Sequence, residues 1–190
     1  MKKLNLLLGI LIVLTILSCS SDDDSQNEIP QVESEFTING TDYSISNGFI
    51  LSAFDGTNNS RHAVYLLNGT ILNNEWFGEA CDFSNDLTQG VIFNITSSSI
   101  SELADGTYTY ELMSTQPSLN ETNIATNVVV ENNCVTSSND IDEDQINSGS
   151  LTIESSNNVY TLTFSFETTD FGTVSGSYVG ELQLTQDLSD

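Results

Sequence analysis

The sequence predicts an all-β fold, an antiparallel β-sandwich of about ten strands over residues 35–190, with a lipocalin-like β-barrel as the alternative. Three observations carry this expectation. Short runs alternate apolar and polar residues, the period of a half-buried strand. Turn dipeptides such as Asn39-Gly40 and Asp105-Gly106 separate the runs. No window of ten or more residues keeps a helical period.

The strands follow in order. Phe36 and Ile38 lead through Asn39-Gly40, a type I′ hairpin signal, to Tyr43 and Ile45. Phe49 to Phe54 and Ala63 to Leu67 are apolar on both faces, as interior strands would be. Val91 to Ile95, Tyr108 to Leu112 and Val128 to Val130 come next. Leu151 and Ile153, then Tyr160 to Phe166, then Val174 to Leu184 alternate most cleanly and predict a three-stranded meander with one buried face. Gly176 and Gly180 mark bends or close backbone approaches in the last of these. With 38% hydrophobic residues in a chain of 190, one core of ordinary size can be filled, which argues against disorder throughout.

Charge narrows the function. Three Lys or Arg face 27 Asp or Glu, a formal net charge of −24. Two of the three cations, Lys2 and Lys3, precede an apolar run from Leu4 to Leu17, which at about 21 Å of helix is too short for the hydrocarbon core and predicts a secretory signal over residues 1–18. Its removal leaves Arg61 as the last cation. Nucleic-acid binding is excluded, since phosphates need clustered Lys and Arg, and peripheral binding to anionic lipid fails on the same ground. Without lysine the processed chain also has no Schiff-base or Walker-type chemistry.

The run ends at Ile16-Leu17-Ser18-Cys19, followed by Ser20-Ser21-Asp22-Asp23-Asp24. This resembles the lipobox and acidic export signal of Bacteroidota-type bacterial surface lipoproteins, although Leu17 stands where a small residue is usual. The resemblance implies that Cys19 is the lipid acceptor, and that the protein is anchored in the outer membrane through that lipid and exposed at the cell surface, with a periplasm-facing leaflet as the alternative. Multiple acyl chains would hold it firmly, at about 0.8 kcal/mol per buried methylene. Residues 19–34 read as an acidic, flexible tether that reaches about 50 Å when extended. Leu103-Ala104-Asp105-Gly106-Thr107-Tyr108 and the stretch from Val174 to Leu182 are similar to β-rich domains of surface lipoproteins whose function is uncharacterised.

With Cys19 assigned to lipid, Cys81 and Cys134 remain as a pair in an oxidising compartment, which predicts a disulfide. A catalytic thiol would need a histidine, and His62 is the only one. His62 follows Arg61 at the start of a strand and reads as a solvated strand-end residue; no Gly-x-Ser-x-Gly elbow accompanies it, and no catalytic residue is assigned. Arg61 is expected to pair with a nearby carboxylate.

Asp140-Ile141-Asp142-Glu143-Asp144 is the sharpest acidic cluster. Asp140, Asp142 and Asp144 match EF-hand positions 1, 3 and 5, but Gln145 replaces the Gly and Leu151 the bidentate Glu, so only a weak calcium loop is in view. No His or Cys spacing supports zinc. Trp76, the one Trp, is a candidate ligand contact in a polar segment. These features predict a lipid-anchored surface protein with a non-catalytic binding or structural role and a glycan or extracellular protein as ligand. A calcium-assisted carbohydrate-binding module is the alternative, and a glycoside hydrolase using two carboxylates the remote one.

Overall fold

The computed structural model describes residues 34–54, 59–72, 81–99 and 102–187. Twelve strands occur among them: β1 (Glu35–Ile38), β2 (Thr41–Ser44), β3 (Asn47–Phe54), β4 (Ser60–Leu67), β5 (Gly90–Ser97), β6 (Gly106–Thr109), β7 (Ser118–Glu131), β8 (Cys134–Ile141), β9 (Ile146–Ser156), β10 (Val159–Thr168), β11 (Gly172–Gly180) and β12 (Leu182–Asp187). They form two six-stranded sheets, ordered β2-β1-β11-β10-β9-β6 and β12-β3-β4-β5-β7-β8. The sheets do not close on each other, so the fold is a sandwich rather than a barrel.

The hairpins turn where asparagine tolerates left-handed backbone. Asn39-Gly40 joins β1 to β2 with φ of 51° and 76°. Asn157-Asn158 joins β9 to β10 at 52° and 65°, and Asn132-Asn133 joins β7 to β8 at 52° and 64°. Positive φ at both turn residues gives the twist that continues into right-twisted strands, and the pairing of β9 with β10 and of β10 with β11 forms the expected meander.

The core lies between the sheets. Alternate residues of β10, Leu162, Phe164 and Phe166, face Val91, Phe93 and Ile95 of β5 within one buried cluster. The Phe93 ring stands edge-on to Phe164 with centroids 5.1 Å apart and lies 6.1 Å from Phe166. Gly176 is required opposite this group, because a Cβ there would sit 2.6 Å from Phe164 Cζ and from the Glu35 carbonyl oxygen.

Four expectations are corrected. The run Val174 to Leu184 is not one strand: it breaks at Glu181, and β12 crosses to the second sheet to pair in parallel with β3. Tyr178 holds the corner by donating from its hydroxyl to the Glu181 carbonyl at 2.8 Å. The segment Val128 to Val130 is only the end of β7, which begins at Ser118, and β8 adds a strand where none was expected. The strand expected to reach Leu112 stops at Thr109, and Leu112 is exposed. His62 is buried rather than solvated.

Candidate functional site

The second sheet has apolar side chains on both faces. Along β4, Val64 and Leu66 enter the core, while Tyr65 and Leu67 point outward. The outward row would meet water in a simple sandwich. Here it is covered by the excursion between β4 and β5, residues 68–89, of which 73–80 lie outside the described residues. Phe49, Leu67, Ile71, Leu87 and Val128 are buried in this second cluster, with Tyr65, Phe83, Ala125, Val130 and Val135 packed against it.

The sequence holds the excursion by short-range polar contacts. Thr70 N–H donates to Ser84 Oγ at 2.8 Å, Ser84 N–H returns to the Thr70 carbonyl at 2.9 Å, and Leu72 N–H reaches the Asp82 carbonyl at 2.7 Å. Asn68 Oδ1 accepts from the N–H groups of Thr88 and Gln89 at 2.9 and 3.0 Å. Phe83 N–H donates to the Asn133 carbonyl at 3.0 Å, and beside it Cys81 and Cys134 are joined by the predicted disulfide, with Sγ atoms 2.04 Å apart. The bond therefore ties the excursion to the edge strand β8.

Sheet and excursion leave a cleft of about 330 Å³. Its floor is Tyr65, Ile92, Asn123 and Asp140 on successive strands, and Phe83, with Asp82, contributes from the excursion. A volume of this order is at the small end for ligand sites, and a mostly apolar lining with few polar groups is their usual character. Burial holds the Tyr65 phenol above its ordinary pKa.

The predicted calcium ligands do not come together. Asp140 is the next-to-last residue of β8 and its Oδ2 accepts from Ser138 Oγ at 2.9 Å; Asp142 precedes, and Asp144 lies inside, a 3-10 turn from Glu143 to Gln145. This turn carries the chain from the second sheet to β9 of the first. Among the described residues no group of three or more His, Cys, Asp or Glu could hold a metal ion. Trp76 and Cys19 fall outside the described residues.

His62 lies directly opposite Ser52 and takes the inward row of β4, which explains its burial. Ser60 Oγ donates to the Ser99 carbonyl at 2.6 Å, so it accepts from His62 Nε2–H, also at 2.6 Å. His62 Nδ1 then accepts from Ser52 Oγ at 2.8 Å. Desolvation lowers the pKa of this neutral ring below 6.5, opposed by a hydrogen bond to the Glu102 backbone. The unfolded chain thus binds a proton more readily, and His62 stabilises the fold fully above pH 6.5 and progressively less below it. Denaturant titrations between about pH 5, above the carboxylate range, and pH 7 should show stability falling with acidity. His62→Gln should flatten that slope, and an unchanged slope would place the proton elsewhere.

Arg61, on the opposite face, is exposed and has no ion-pair partner among the described residues, contrary to the expected carboxylate pairing. The sequence reading missed the cleft, although the two-sided apolarity of Phe49 to Phe54 and Ala63 to Leu67 was its signal. Compared with protein-family models, with curated proteins and with solved structures, the chain matches none.

Proposed function

We propose that the protein is a non-catalytic binding protein, held at the outer membrane through lipid on Cys19, which takes a glycan or a segment of an extracellular protein in the cleft of the second sheet. The cleft itself carries this reading. A solvated sheet face has no reason to be apolar, whereas a disulfide-tied excursion over Tyr65, Ile92 and Phe83 builds a concave surface suited to a ligand with an apolar side. Binding rather than turnover is supported by His62, whose second ring nitrogen meets a serine and not the carboxylate that would stabilise an imidazolium.

A glycan and extracellular-protein array is the direct test. Ligands retained by the native protein should be retained at least about tenfold more weakly by Tyr65→Ala, the loss expected when an aromatic platform is removed. Equal retention by the variant would move the site off this face.

A further inference from the structure

We infer that the same face recognises a carboxylate-bearing sugar, a uronic acid unit within a short oligosaccharide, with Arg61 as its clamp; this rests on the cleft being a ligand site. Beside the cleft lies a second hollow of about 310 Å³ whose lining includes Leu51, Arg61, Ala63, Asn94, Asn120 and Glu121. Arg61, Ala63, Tyr65 and Leu67 alternate along β4 on one side of the sheet, so the two hollows follow each other over about 20 Å of strand.

Charge selects the ligand. In a chain with 27 acids, the single cation left after the leader stands exposed without a carboxylate partner among the described residues. A guanidinium offers two parallel donors to one carboxylate, a bidentate contact that an isolated acidic sugar can supply. A polyanion would instead meet the repulsion of the whole body.

The position of Arg61 favours a saccharide over a peptide. Strands β4, β5 and β7 are interior, each hydrogen-bonded on both sides, so no backbone is free to accept an added strand. Recognition falls to side chains. Asn94 Nδ2 donates to Glu121 Oε2 at 3.0 Å, which leaves Asn94 Oδ1 and the other Glu121 oxygen as acceptors, and Asn123 has no side-chain hydrogen bond among the described residues. Donors and acceptors on neighbouring strands, about 4.8 Å apart, suit the hydroxyls of a sugar ring, and Tyr65 in the floor of the cleft, two residues along β4 from Ala63 of the second hollow, offers an aromatic side for its C–H groups.

The test is calorimetric titration of the anchored protein in detergent with a short oligosaccharide that carries one uronic acid among neutral sugars and with its methyl ester, which has the same rings without the charge. The acid should bind at least about tenfold more tightly than the ester, a gap that shrinks in high salt. Arg61→Gln should erase the gap and Arg61→Lys restore part of it. Tyr65→Ala should weaken both ligands. Equal binding of acid and ester, or an Arg61→Gln variant that keeps the gap, overturns the role of Arg61. The cleft reading survives that result if Tyr65→Ala still abolishes binding. Binding of neither saccharide, or Arg61-dependent binding of an acidic peptide in their place, overturns the saccharide assignment.

Discussion

Replacing Cys134 with Ser, together with Cys81→Ser so that no free thiol remains, is expected to lower stability by about 2–5 kcal/mol. The bond spans 53 positions, and closing a loop of that size removes about 4 kcal/mol of chain entropy from the unfolded state. In a domain of this size such a loss lowers Tm by roughly 10 °C. The damage should be local as well as global, because the excursion would then be held near β8 without a covalent tie, by the apolar cluster that includes Phe83 and Val135 and by hydrogen bonds such as Phe83 N–H to the Asn133 carbonyl. Ligand affinity should therefore fall with stability. Thermal melting with and without reductant checks this: reductant should bring the native protein down to the variant and leave the variant unmoved. A variant that melts with the native protein would mean that the bond contributes nothing to the fold.

The fold was legible wherever one face alone is buried. In β10 the inward Leu162, Phe164 and Phe166 alternate with exposed Thr163, Ser165 and Glu167, and the meander follows from that period. The strand β8 was not legible because, as an edge strand, it buries only Ile141 fully and otherwise shows Thr, Ser and Asn, the composition of a loop. In β7 the register shifts between Thr126 and Val129, with Asn127 at φ 51°, and this interrupts the alternation that would have exposed its length. The departure of β12 from its sheet was half visible. Gly180 and Gly48 leave room for the Tyr178 ring, where a Cβ would lie 2.5 and 2.8 Å from Tyr178 atoms, but no pattern says that the chain turns toward the other sheet there. His62 misled because a polar residue was assigned to solvent, while its partners Ser52 and Ser60 satisfy it inside. The cleft needed one more step: strands apolar on both faces in a two-layer fold require a second cover, and the connection from 68 to 89 is the longest between the described strands.

Phe93→Ala should cost about 3–5 kcal/mol, the range for a fully buried aromatic whose neighbours cannot close the gap. Phe93 is the β5 member of a three-ring group whose other members, Phe164 and Phe166, belong to β10 of the opposite sheet, so its removal unseats the contact between layers. Strand geometry prevents the backbone from sinking to fill the space, since β5 is pinned between β4 and β7. Denaturant unfolding measures the loss, and Phe93→Leu should recover more than half of it; a cost below about 1 kcal/mol would show that the core repacks freely. The neighbouring residue Ile92 points the other way, into the cleft floor. Phe93→Ala that remains folded should accordingly keep its ligand, whereas the disulfide variant should lose affinity at temperatures well below its own Tm. This crossed outcome separates a sheet that serves two layers from one whose outer face is only a secondary core: in the latter case ligand binding would follow global stability in both variants.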